Sequence, residues 1–197
     1  SWCPSNSDGK YKETEVTLKE ALKESINSVS VYLMKEIGNV QSVKNLLKNL
    51  GIDEKKIPNY PSICLGTPEL SAMEMATAYT AFANEGTMTK PIFVTRIEDK
   101  NGKVIYSAVP EKKVAINPSI NYVMVDMLNY VAAPVANKFK FKTQIAGKTG
   151  TTNDYKDGWY VGFTPELVIA TWVGGDQEFV RFTNLVDGQG AVMARPI

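Results

Sequence analysis

The chain contains no histidine. That absence removes Ser-His-Asp and Cys-His triads, histidine-bearing zinc sites and imidazole acid–base catalysis together. Proton transfer here must use lysine, a carboxylate, tyrosine or water. Cysteine is nearly absent as well. Cys3 and Cys64 are too few and too far apart to suggest a metal site, and they read as two buried free thiols rather than a disulfide. Neither sign of charge prevails: 22 basic side chains stand against 21 acidic ones, a net of +1. Nothing therefore favours nucleic acid or an anionic membrane as the main partner. Long apolar runs are missing too. The stretch from Leu167 to Val173 is far too short to span a bilayer, and no signal-peptide pattern opens the chain at Ser1.

What is present suits one compact domain or a large piece of one: 197 residues, 44% of them hydrophobic. The first sixteen residues are polar and turn-rich and read as a loop. Thr17 caps a predicted helix to about Ser25, with Leu18, Ala21 and Leu22 on one face. Further helices are predicted from Ser28 to Ile37, stopped by Gly38, and from Val40 to Leu50, stopped by Gly51. Thr67-Pro68-Glu69 has cap, first-turn proline and early acid in order, predicting a helix to Asn84. Ile92 to Asp99 and Lys103 to Tyr106 read as strands around the hairpin signal Asn101-Gly102. Pro118 to Val131 returns to helix. Gln144 to Thr149, Gly158 to Thr164 and Leu167 to Val173 then read as strands, the last two joined through Pro165-Glu166 as an antiparallel hairpin. Helices first and an antiparallel sheet later give an α/β mixture of the segregated, α+β kind.

The run Ala146-Gly147-Lys148-Thr149-Gly150-Thr151-Thr152 carries the chemistry. Phosphate binding is one reading, since Gly147-Lys148-Thr149 matches the end of a P-loop. That motif needs a glycine where this chain has Lys142, and a helix where a strand follows. Acyl transfer on a strand edge is the other. Unpaired backbone groups there can dock a peptide-like substrate as an added strand, one N–H can help to stabilise an oxyanion, and Lys148 with the Thr149 and Thr151 hydroxyls can hold a carboxylate. Lys-Thr-Gly arises by chance in about one chain of this length in twenty-five, and Ser-x-Asn in about half. Ser25-Ile26-Asn27 therefore gains force only when joined, in order, to Lys148-Thr149-Gly150.

Longer blocks give the pair its context. Val16 to Asn27 resembles the second motif of the bifunctional (class A) penicillin-binding proteins. Leu65-Gly66-Thr67-Pro68-Glu69-Leu70 and Ala78 to Gly86 resemble the family's next helical block. Gly147 to Asp154, Asp157 to Gly162 and Thr171-Trp172-Val173-Gly174 resemble its third motif and the two strands behind it. The run from Gly190-Ala191 to Arg195-Pro196-Ile197 fits the approach to its last helix. Two departures stand out. The family's Ser-x-x-Lys nucleophile motif belongs some tens of residues before Ser25, so the chain is expected to be a partial transpeptidase domain over 1–197 with the nucleophile outside it. Ser7-Asp8-Gly9-Lys10 matches the letters only, in a glycine-bearing loop that cannot hold Ser and Lys one helical turn apart. The stretch from Val131 to Thr143 also lacks the Gly-Thr pair common before the third motif.

The resemblance implies a penicillin-binding transpeptidase, serine β-lactamase-like fold, and a D,D-transpeptidase that cross-links peptidoglycan stem peptides through an acyl-enzyme and is acylated by β-lactams. Ser25 would relay protons, Asn27 would bind the substrate amide and Lys148 would bias the cleft positive. Thr149, Gly150, Thr151 and Thr152 would line the substrate, with the Thr151 N–H in the oxyanion hole. No cofactor, metal or nucleic acid is implied. The parent protein would be anchored at the periplasmic face of a bacterial inner membrane and carry a glycosyltransferase domain. A β-lactamase or D,D-carboxypeptidase of the same superfamily, or a non-catalytic module of this fold, remain the alternatives.

Overall fold

A computed structural model describes residues 4–6, 15–177 and 179–196. Cys3 and Ser7 lie outside them. Helix α1 (Leu18–Lys23) begins where Thr17 predicts, its hydroxyl accepting from the Glu20 N–H at 3.2 Å. Helix α2 (Asn27–Ile37) ends on Gly38 at φ 75°, and α3 (Val40–Asn49) is followed by Gly51 at φ 91°. A first apolar core gathers Met34, Leu50, Ile52, Ile57, Ile63 and Ala81. Cys64 packs against it with a free thiol, which burial pushes up from its ordinary pKa.

Helix α4 (Ala72–Ala83) corrects the expected start at Thr67. Ser71 and Glu74 form a reciprocal capping box: the Ser71 hydroxyl accepts from the Glu74 N–H at 3.2 Å, and the Glu74 carboxylate accepts from the Ser71 N–H at 2.8 Å. Two backbone donors satisfied at once outweigh a proline at the first turn. Lys56 also grips that carboxylate at 2.8 Å, and this bond, with those from Ser71, holds it down at about 2.

Four short strands follow: β1 (Thr87–Thr89), β2 (Arg96–Glu98), β3 (Val104–Ser107) and β4 (Lys112–Val114). They form two antiparallel pairs, β2 with β3 and, enclosing them, β1 with β4. The Asn101-Gly102 turn is as expected, with Asp99 Oδ1 accepting from the N–H groups of Asn101 and Lys103 at 2.8 and 2.9 Å. Of the expected strand from Ile92, Arg96–Glu98 is laddered to β3, with the Thr95 carbonyl accepting from the Ala108 N–H at 2.9 Å, and the register shifts after Ile97. The β1–β4 pair was not foreseen. It hangs on Gly86 at φ 88°, whose carbonyl takes the N–H groups of Ala115 and Ile116 at 2.8 and 3.0 Å. A Cβ there would lie 2.1 Å from the Ile116 oxygen.

Helix α5 (Pro118–Phe139) runs well past the expected end at Val131 and through Pro134. Leu128 and Ala132 are almost wholly buried, and their packing outweighs the hydrogen bond that proline removes. Strands β5 (Ala146–Thr151), β6 (Asp157–Phe163) and β7 (Val168–Gly174) make an antiparallel sheet in the order β5-β6-β7. The expected β6–β7 hairpin is present, and β5 sits two residues later than predicted. Leu128 of α5 packs with Ala146 and Phe163 in a second core, which Tyr79 and Phe82 of α4 complete; the Tyr79 ring lies 5.2 Å from Phe82 and 6.1 Å from Phe163. Desolvation pushes the Tyr79 phenol up to about 12. Short helices α6 (Leu185–Gly188) and α7 (Gly190–Met193) follow, with α7 on the opposite face of the sheet.

Candidate active site

Side chains alternate along a strand, so β5 sends its residues two ways. Ala146, Lys148 and Gly150 face α4 and α5, as the burial of Ala146 against Leu128 and Phe163 shows. Thr149 and Thr151 face α7. Among the described residues β5 pairs only with β6, which leaves its other edge unpaired by any strand.

The chain brings Ser25 to that edge by an abrupt ending of α1. Glu24 closes the helix, Ser25 turns into the left-handed region at φ 53°, and the Ser25 and Ile26 N–H groups return to the carbonyls of Leu22 and Ala21 at 3.2 and 3.0 Å. A non-glycine residue in this region is uncommon. Here it directs the hydroxyl away from α1 and toward β5. Lys148 Nζ donates to Ser25 Oγ and, at 2.9 Å, to its neighbour's carbonyl on Thr149. Burial pulls the Lys148 ammonium down to about 8, so a lysine in this cleft releases a proton far more readily than one in water. A hydroxyl held on such an amine is equipped to pass a proton on.

Asn27 opens α2 two residues later. Its Nδ2 donates to the Ser5 carbonyl at 2.8 Å and its backbone N–H donates to Asn6 Oδ1 at 2.9 Å. A primary amide has two N–H groups and an acceptor oxygen, so this tether leaves further hydrogen-bonding capacity. The Thr151 hydroxyl accepts from the Gly190 N–H at 3.0 Å and keeps its own hydrogen to donate. Thr152 is placed differently. Its hydroxyl donates to the Asp157 carbonyl at 3.1 Å and accepts from the Asp157 N–H at 2.9 Å, closing the turn between β5 and β6. The structure thus joins Ser25 to Lys148 directly, sets Thr149, Gly150 and Thr151 along one strand, and occupies the Thr152 hydroxyl within the turn.

Sequence reasoning had named Gly190 in the approach to the last helix without giving it a role at the site. A Cβ there would lie 2.1 Å from the Gly150 oxygen, so only glycine lets α7 approach the back of β5 and supply the N–H that Thr151 accepts. No local pattern marks such a residue, because its partner is 39 positions away.

Residues 2–178 match the family model described as the penicillin binding protein transpeptidase domain. The chain belongs to that family. Penicillin-binding protein 1A of Aquifex aeolicus is 41% identical over 177 residues, and that of Neisseria meningitidis is 35% identical over 184. Each alignment covers 89% of this chain but only 24% and 23% of the relative, so the chain spans about a quarter of their length. Among solved structures, the PonA1 protein from Mycobacterium tuberculosis in complex with penicillin V is 27% identical, with a TM-score of 0.77 over 92% of this chain and 53% of that one. Penicillin-binding protein 1A from Haemophilus influenzae, at 24% identity, shares the fold with a TM-score of 0.80 over 90% of this chain and 32% of its own.

Proposed function

We propose that this chain supplies the substrate-binding half of a serine-type peptidoglycan D,D-transpeptidase. The observation that carries the reading is the contact between Lys148 and Ser25, which joins two motifs 123 residues apart at one unpaired strand edge. A serine from a Ser-x-x-Lys motif elsewhere in the parent protein attacks the carbonyl between the two D-alanines of a stem peptide. The bond to the terminal D-Ala breaks, its amine takes a proton through Ser25, and an acyl-enzyme remains. The amine of a second stem resolves it, restoring the serine and leaving a cross-link.

In this scheme Thr149 and Thr151 donate to the substrate carboxylate, Lys148 supplies positive charge nearby, and Asn27 holds the substrate amide. The Thr151 N–H forms part of the oxyanion hole. β-Lactams present a reactive amide carbonyl and a carboxylate in a comparable arrangement, and the complex of the PonA1 relative with penicillin V supports their binding here. The likeness to penicillin-binding protein 1A supports a parent protein held at the periplasmic face of the inner membrane and carrying a glycosyltransferase domain. Among the described residues no helix is long and apolar enough to cross a membrane.

The test is made in the full-length protein that bears this chain. Ser25→Ala and Lys148→Ala should each slow acylation by a fluorescent penicillin about a hundredfold, the usual scale for a positioned proton-transfer group. Parental rates in both variants would reject the reading.

A further inference from the structure

Asn129 and Tyr130 are neighbours on α5 and reach to opposite sides of the candidate site. Asn129 Nδ2 donates to the Ile145 carbonyl at 2.8 Å, immediately before β5 and three residues before Lys148. The Tyr130 hydroxyl donates to Glu20 Oε2 at 2.8 Å, in the first turn of the helix that ends at Ser25. The same stretch of α1 is fastened again. Lys19 pairs with Asp126, one turn earlier on α5, at 2.5 Å, and Lys23 lies over the Tyr130 ring at 5.3 Å from its centre. The bond to Glu20 raises the Tyr130 phenol above its ordinary pKa, which keeps it a donor.

We infer that Asn129 and Tyr130 are positioning residues that hold the Ser25 helix and the Lys148 strand at a fixed separation. The inference rests on the reading of Ser25 and Lys148 as a working pair. Neither residue touches that pair; each acts through the element that carries one member of it. Directional bonds are needed because the apolar contacts of Leu128 and Ala132 fix α5 against its neighbours without fixing its register. A slip of about an ångström suffices to spoil a proton-transfer contact. Pro134 adds to the need. It offers no N–H to the Tyr130 carbonyl, so α5 is less constrained where the two tethers leave it.

The test uses Asn129→Leu, which keeps approximate size, adds no charge and removes the N–H, and Tyr130→Phe, which removes only the hydroxyl, both in the full-length protein. Two readouts are followed: the titration of the Lys148 13Cε resonance, and the rate of acylation by penicillin. With either tether cut, the cleft loosens and hydrates the ammonium, so the Lys148 midpoint should rise by roughly half a pH unit or more. Acylation should slow about five- to tenfold. Neither change should slow it further once Ser25→Ala is present, because both tethers act by keeping Ser25 and Lys148 in contact, and that substitution removes the contact. A Lys148 midpoint unmoved in both variants, or an equal slowing with and without Ser25→Ala, would overturn the inference. A parental protein that penicillin does not acylate, but whose Lys148 midpoint still shifts, upholds the tethers and rejects the transpeptidase reading instead. Should Asn129→Leu fail to fold, Tyr130→Phe decides the matter alone.

Discussion

Lys148 and Ser25 are joined by a direct hydrogen bond, from a strand of the sheet to the left-handed residue that ends the first described helix. Each half of this contact depends on an expensive local feature: a backbone at positive φ on one side, and a half-buried ammonium on the other. Proteins keep such features where chemistry needs them.

The burial of Lys148 makes stability depend on pH. Its ammonium titrates near 8 in the folded chain and at 10.5 in the ordinary case, so between those values the unfolded state binds more protons. Folding stability should therefore rise as pH climbs from about 8 to 10.5, with the cost of the buried charge fully present below 8. Lys148→Met should abolish that rise and add on the order of 1 kcal/mol at pH 7. Urea titrations of both proteins across this range check both points; because Cys64, Tyr79 and Tyr130, all raised on folding, oppose the rise in both alike, parental and Lys148→Met profiles that run parallel would contradict the burial.

The chain alone should not be acylated by penicillin. Ser25 is the serine that Lys148 holds, and it lies at a helix end, with no lysine one helical turn after it in a Ser-x-x-Lys array. Intact mass after incubation with a fluorescent penicillin should show the unmodified chain. A stoichiometric adduct would give the nucleophile's role to a serine present here.

The two threonines of β5 should separate under mutation. Thr149→Val removes a donor from the strand and should slow acylation in the full-length protein about tenfold with unchanged melting. Thr151→Val should slow it as much and also cost about 1 kcal/mol, because the Gly190 N–H loses its acceptor. Acylation at the parental rate in the double variant would remove these hydroxyls from the site.

Strand β7 pairs only with β6 among the described residues, and it exposes Ile169 and Trp172 beside Leu167. An open edge with exposed apolar side chains recruits another strand. The isolated chain should self-associate at tens of micromolar in light scattering, and Trp172→Lys should shift it toward monomer. A parental chain that stays monomeric at high concentration would show the edge to be harmless.

The sequence alone determined the local parts. Caps at Thr17, stops at Gly38 and Gly51, the Asn101-Gly102 turn and the β6–β7 hairpin depend on residues within a few positions of one another, where side-chain chemistry acts directly on the backbone. It also placed Ser25-x-Asn27 and Lys148-Thr149-Gly150 in one family. Competition between nearby signals was harder to read. Ser71 with Glu74 outweighed Thr67-Pro68, and the buried face of α5 carried that helix through Pro134. Only the tertiary structure decided that Lys148 reaches Ser25, that Gly190 supports Thr151, and that Asn129 and Tyr130 stand between the two motifs. Those contacts join residues 16 to 123 positions apart, and packing on both faces of the sheet brings them together: α4 and α5 on one, where Leu128, Ala146 and Phe163 exclude water, and α7 on the other, where Gly190 meets Thr151.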